Sequence, residues 1–239
     1  MASNETARRE KVGLLVLLFG GVLIVAILVV VALLQSNAPV APSAPPVVAQ
    51  GQFAETGLPL LGDPNAPVLL IEFSNFACPG CAQYHSTVKQ IIERHVNSGN
   101  AALVFAPMIF DRGAHPSYIA AQAALCADKQ GKFWQMHDAL FQIHLQRGAR
   151  SFDLPTVQQA ARDLALDVDA LSACLAAEET GSIIFNALQL AEQVGLQYTP
   201  SLLYSRDGGK TWEWFTQPDG KRYEAGVPLD AVDRLIGAR

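Results

Sequence analysis

The strongest constraint on this chain is one short stretch, Phe73-Ser-Asn-Phe-Ala-Cys78-Pro79-Gly80-Cys81-Ala-Gln-Tyr-His85. Two periodicities meet there. Val68 to Phe73 is an apolar run broken only by Glu72, the pattern of a strand buried on both faces. From Ala82 through Val88 to Ile92 the apolar spacing becomes helical. The cysteines therefore straddle a strand-to-helix junction, with Cys78 near the helix N-terminus and Cys81 one turn in. Unpaired backbone N–H groups and the helix dipole favour an anion at that place, and a thiolate is one. A thiol of ordinary pKa about 8.5 falls to roughly 3.5–7.5 in such a setting. Two thiols one turn apart also close a disulfide with little backbone movement. The stretch is built for thiol–disulfide exchange, with Cys78 as nucleophile and Cys81 as resolving thiol.

Two other uses of the pair are weaker. Zinc could take Cys78, Cys81 and His85, but a closed zinc site needs a fourth ligand, commonly from a second knuckle. The sequence has no second Cys-x-x-Cys or Cys-x-x-His pair. A purely structural disulfide gains little from closing so short a loop.

Beyond the junction, Leu61-Gly-Asp-Pro-Asn-Ala-Pro67 followed by Ile71-Glu-Phe-Ser-Asn-Phe-Ala-Cys78-Pro-Gly-Cys81 resembles the start of a DsbA-like thiol–disulfide oxidoreductase of the thioredoxin superfamily. His115-Pro116, Ala123-Ala-Leu-Cys126, Gly131-Lys-Phe-Trp-Gln-Met-His-Asp138 and Thr199-Pro200-Ser201 resemble that family too, in the same order. The resemblance runs from about residue 60 to the C-terminus. It implies an α/β thioredoxin fold interrupted by a helical insertion, about residues 112–194. It also implies that Pro79 and Gly80 tune how oxidising the disulfide is, although Gly80 departs from the residue best known at that position. Thr199-Pro200 takes the place of the family's cis-proline loop, packed against the active-site cysteines. The backbone of Thr199 would then face the disulfide and pair with an extended client strand. Glu72 lies six residues before Cys78. An acid there either reaches water at a strand end or is buried with a raised pKa. The family has an acid at this spacing, which favours a proton-exchanging partner for Cys81.

The amino end imposes a second constraint. Val12 to Leu34 is 23 residues without a charge. As a helix it would span about 35 Å, against a hydrocarbon core of about 30 Å. A cleaved signal has an apolar core of only about 7–15 residues, and the candidate site at Ser36-Asn-Ala38 is followed by Pro39. An uncleaved anchor is the better reading. Arg8, Arg9 and Lys11 precede the span and no base follows until Lys89, so residues 1–11 face the cytoplasm and the body lies outside. Residues 35–52, with Pro39, Pro42, Pro45 and Pro46, form a semi-extended tether. The body, residues 53–239, is acidic: fourteen bases against twenty acids after residue 11, which argues against a nucleic-acid partner.

Within the body, Ala101–Ala106 reads as a second buried strand and Ser117–Ala127 and Phe133–Leu145 as helices. Another helix opens at Leu154-Pro155 with Asp153 as N-cap. Shorter helices fall near 170–177 and 183–194, with Gly195 as the stop. Ser201–Ser205 reads as a strand, and Lys210–Phe215 as its antiparallel return after a turn at Arg206–Gly209. A turn at Gln217–Gly220 and a last helix from about Pro228 to Ile236 complete the chain. The hairpin is longer than the family's usual passage to a glycine such as Gly226.

Cys126 and Cys174 fall in separate helices, either as buried free thiols or, given an oxidising compartment, as a structural bridge across 48 positions. His85, His115, His137 and His144 show no metal spacing and read as surface or packing residues; Trp212 and Trp214 read as packing. The reading is an extracytoplasmic, membrane-tethered monomer that oxidises exported proteins through Cys78–Cys81. It needs no metal or organic cofactor, and a membrane partner resets the pair. A reductase or isomerase, or a non-catalytic tethered binding module, are the alternatives.

Overall fold

Six successive buried side chains in β3 (Leu69–Ser74) leave no face for water, and this strand is central. The structure is a computed structural model that describes residues 49–109 and 115–237. β1 (Gln50–Phe53), β2 (Leu58–Leu61), β3, β4 (Ala102–Pro107), β5 (Ser201–Ser205) and β6 (Glu213–Trp214) form one sheet in the order β1-β2-β4-β3-β5-β6. β3 runs parallel to β4 and antiparallel to β5, which sets Glu72 opposite Phe105 on one side and Leu202 on the other.

Strand alternation divides the core in two. Leu70, Leu103, Phe105 and Leu202 face a large apolar cluster shared with α1 (Pro79–Ile91), α2 (Pro116–Asp128), α3 (Phe133–Arg147), α4 (Leu154–Asp163), α5 (Val168–Ala176) and α7 (Leu229–Gly237). Leu69, Ile71, Phe73, Val104 and Leu203 face a smaller cluster closed by Ala187 and Ala191 of α6 (Gly181–Gln193). Glu72 and Ser74 lie on the same face as Leu70, beneath the helices that carry the cysteines.

The helices of the insertion begin where capping chemistry allows. Asp153 accepts from the Thr156 N–H at 2.9 Å, Asp167 from the Ala170 N–H at 2.9 Å, and Pro155 sits in the first turn of α4. Gly195 takes the positive φ of +65° that ends α6. α1 runs on into a π-helical turn, Ile92–Val96, where Arg94 and His95 both engage Asp233 of α7.

Two features differ from expectation. β1 and β2 form an antiparallel hairpin that the apolar pattern does not announce, and Gln50–Gln52, read as the end of the tether, are strand. The return strand after β5 shrinks to Glu213–Trp214. Asp207 accepts from both the N–H and the hydroxyl of Thr211, at 3.0 and 2.7 Å, and so keeps the chain in a turn up to that residue. Of the two readings of the histidines, surface or packing, His85, His137 and His144 take the second, all three being buried. The charge-free span 12–34, its flanking tail and the tether as far as residue 48 lie outside the described residues. Among those described, no helix is long and apolar enough to cross a membrane.

Candidate active site

Cys78 is the N-cap of α1, at φ −90° and ψ 122°, with Pro79 in the first turn where a missing N–H costs nothing. The turn leading into it is fixed by Asn75. Its side chain accepts from the Ala77 N–H at 2.8 Å and its carbonyl accepts from the Cys78 N–H at 2.9 Å. The Asn75 N–H in turn points at the Cys81 sulfur, 3.4 Å away. Both cysteines are free thiols, Cys78 half-buried and Cys81 fully buried.

The two sulfurs are pushed in opposite directions. Cys78 is lowered to about 5, chiefly because the Cys81 thiol hydrogen-bonds to its thiolate. Partial burial works against this, and the backbone N–H groups of Cys81 and Gly80 and the Thr199 side chain assist it. Cys81 is pushed far up by burial, and further by the neighbouring Cys78. At neutral pH the site holds one thiolate at its mouth and one protonated thiol behind it.

The peptide bond Thr199–Pro200 is cis, and the Thr199 carbonyl lies 3.6 Å from the Cys78 sulfur, accepting from it when the thiol is protonated. Gly80 faces this loop. A Cβ there would stand 3.6 Å from the Pro200 ring and 3.8 Å from the Cys78 sulfur, so glycine leaves that flank of the sulfur without a side chain.

Behind the pair, Glu72 is 0 % exposed and neither carboxyl oxygen has a hydrogen-bond partner. Its place in mid-strand excludes the water-reaching alternative. Burial raises its pKa, while the His137 imidazole and the Ser74 hydroxyl oppose the rise. Ser74, also fully buried, acts on the Cys81 thiol as well and lowers it. Its hydroxyl is thus close to both groups without a hydrogen bond of normal geometry to either. Sequence reasoning passed over Ser74. The signal was its position two residues after Glu72, which puts both on one face of β3.

Tyr84 of α1 ties the site to the last loop. Its hydroxyl donates to the Val227 carbonyl at 2.9 Å and accepts from the Val227 N–H at 3.1 Å. A Cβ on Gly226 would come within 2.7 Å of the Tyr84 ring, and the residue has φ +104°, so glycine is required there. Cys126 of α2 and Cys174 of α5 are joined by a disulfide with Cα atoms 5.9 Å apart. Trp212 and Trp214 pack on the smaller cluster, and the Trp214 indole donates to the Val194 carbonyl at 3.1 Å.

Comparison with known proteins agrees with this geometry. A family model described as thioredoxin matches residues 55–210, well over half of the chain. Disulfide bond formation protein D of Bacillus subtilis is 29% identical over 94 residues, 38% of this chain and 42% of that protein. The Na(+)/H(+) antiporter NhaA 3 of Salinispora tropica is 30% identical over 141 residues, 59% of this chain and 20% of that protein. The chain therefore spans less than half the length of these curated relatives. Among solved structures, a thioredoxin-like oxidoreductase from Silicibacter pomeroyi DSS-3 superposes with a TM-score of 0.60 at 27% identity, over 78% of this chain and 96% of that one.

Proposed function

Since the chain belongs to the thioredoxin family, we propose that it is a DsbA-like thiol–disulfide oxidoreductase that introduces disulfides into exported proteins. The observation that carries the oxidising direction is the low pKa of Cys78, about 5. A stabilised thiolate exists only in the reduced enzyme. Whatever lowers its energy pulls exchange toward reduced enzyme and oxidised client.

In the forward reaction a client thiolate attacks the Cys78 sulfur of the Cys78–Cys81 disulfide. The S–S bond breaks, and Cys81 leaves and takes up a proton, which Glu72, buried on the same strand face as Ser74, would supply. A second client thiolate then attacks the client sulfur of the mixed disulfide and releases Cys78 as a thiolate. The client loses two electrons and the enzyme gains them. A membrane redox partner removes those electrons to restore the disulfide. The Thr199 backbone beside Cys78 supports client binding by main-chain pairing, which accepts many sequences. Pro79 and Gly80 set the local balance between disulfide and dithiol. Cys126–Cys174 serves stability.

The bases before residue 12 and the charge-free span 12–34 support a single-pass anchor with the body outside the cytoplasm. Residues 1–11 would be the cytoplasmic tail, and the Pro-rich segment after the anchor holds the thioredoxin-like body off the membrane.

The test is to mix the oxidised protein with a reduced, unfolded client and follow both disulfides, then titrate Cys78–Cys81 against a glutathione buffer. The client should gain disulfides as the enzyme loses its own, with the enzyme's equilibrium on the reduced side of the buffer. A pair that stays oxidised in buffers reducing enough to keep client thiols free would make the protein a reductase.

A further inference from the structure

The helix interface beneath the active site holds a cluster that disulfide exchange does not use. His85 lies one turn after Cys81 on the buried face of α1, and His137 and Asp138 lie on α3. His85 Nε2 is 3.4 Å from Asp138 Oδ1, and His137 Nδ1 is 3.2 Å from the same oxygen. Donor atoms from the three residues lie within 4.8 Å of one another. The two imidazoles are 2 % and 0 % exposed, whereas the Asp138 side chain is 20 % exposed and reaches solvent.

As packing, the arrangement is poor. His85 Nε2, buried and facing Asp138 Oδ1, makes no hydrogen bond. As a chelate, it fits on the two edges that meet at Asp138. At metal–ligand lengths of about 2.0–2.1 Å, the ligand atoms of a tetrahedral ion stand about 3.3–3.4 Å apart. The two nitrogen-to-oxygen distances match those edges. An aromatic wall of Phe76, Phe105, Phe133, Trp134 and Phe141 surrounds the His137 ring, and Phe141 also stacks on the His85 ring, which limits how far the two can turn away.

We propose that His85, His137 and Asp138 form a site for one divalent transition-metal ion of the zinc class. Two imidazoles and a carboxylate suit zinc and its neighbours; calcium and magnesium want oxygen ligands throughout. Three protein ligands leave a fourth position, open to water on the Asp138 side. The ion would pin α1, which carries the cysteines, to α3 of the inserted helices. No sequence motif announces the site, because the ligands come from two helices far apart in the chain.

The experiment uses the untagged full chain, freed of metal by chelation and with Cys78–Cys81 oxidised, so that no thiolate competes. Co²⁺ should give the visible bands of a tetrahedral nitrogen–oxygen site, saturating at one equivalent, without a sulfur charge-transfer band. Zn²⁺ should displace it. At about a hundred times its Kd, Zn²⁺ should raise Tm by about 5–10 °C. Asp138→Asn keeps the shape of a partly exposed side chain, and His85→Gln provides a second variant. Each should weaken binding by more than the roughly 10–100-fold typical of losing an outer-shell partner. No saturable Co²⁺ signal at millimolar metal, or unchanged affinity in both variants, would overturn the assignment.

Discussion

Two cysteine pairs share the larger apolar cluster of this protein, and their surroundings give them opposite chemistry. Cys126 and Cys174 are buried in the last turns of their helices, where every nearby backbone N–H is already spent on the helix itself. Nothing there stabilises a thiolate, and their disulfide crosslinks two helices of the insertion. Cys78 caps a helix, so free N–H groups, the Cys81 thiol and Thr199 all converge on its sulfur. It also lies at the surface, while Cys81 waits behind it. Reactivity here comes from a helix start and half-exposure. The cysteine residue alone does not confer it.

The largest effect that follows is a difference in alkylation. In protein with the active-site pair reduced and Cys126–Cys174 intact, Cys78 should react with iodoacetamide at a rate that is flat from pH 8 to 6 and half-maximal near pH 5. Below that it should fall about tenfold per pH unit, as the thiolate fraction does. Cys81, whose thiol is pushed up by burial, should react at least about a hundredfold more slowly at pH 7. Cys81→Ala removes the largest stabiliser of the Cys78 thiolate, so the Cys78 midpoint should move up in that variant. Mass mapping that finds Cys81 labelled first would reverse the two roles.

The second pair should be tested on stability. Crosslinking residues 48 apart contributes up to about 4 kcal/mol in the chain-entropy model, which corresponds to about 8–16 °C in Tm for a domain of this size. Cys126→Ala should lower Tm within that range and leave the alkylation midpoint of Cys78 near 5. A shifted midpoint would mean that the bridge shapes the active site after all.

What could be read before the structure follows the same division between local and distant causes. The Cys78–Cys81 junction, the Asp153 cap and the strand after Thr199-Pro200 depend on neighbours within a few positions, and spacing alone exposes them. The β1–β2 hairpin does not show. Gln50-Gly-Gln-Phe53 buries only its last residue well, and all four side chains of Leu58–Leu61 are buried, so neither strand has the alternation that marks an edge hairpin. The cluster of His85, His137 and Asp138 was invisible for a different reason. A histidine on an apolar helix face carries no sign of what the facing helix will present. Ser74 was passed over because a lone serine in an apolar strand gains meaning only once Cys81 and Glu72 are found on either side of it.

The smallest effect concerns Glu72, which serves one cysteine pair and should leave the other untouched. Burial raises its pKa above the ordinary carboxylate value, against the opposing influence of the His137 imidazole and the Ser74 hydroxyl. A raised folded-state pKa means that the group's contribution is fully present below the unfolded value and is lost as pH rises toward the folded one. Each pH unit between those two values removes about 1.4 kcal/mol, or about 3–5 °C, and the loss then levels off. Glu72→Gln has no proton to give up. Measured with Cys78–Cys81 oxidised, so that Cys81 does not titrate, the two proteins should melt together near pH 4. The variant should then pull ahead as pH rises and reach a constant lead, and the pH where the lead stops growing marks the folded-state pKa of Glu72. The same variant cannot exchange a proton with Cys81, so mixed disulfides on Cys78 should resolve more slowly, while Cys126–Cys174 forms as before. Parallel melting curves at every pH would mean that Glu72 titrates alike in the folded and unfolded protein, with no rise from burial, and is ionised at neutral pH. It would then be a fixed charge behind Cys81, unable to pass it a proton.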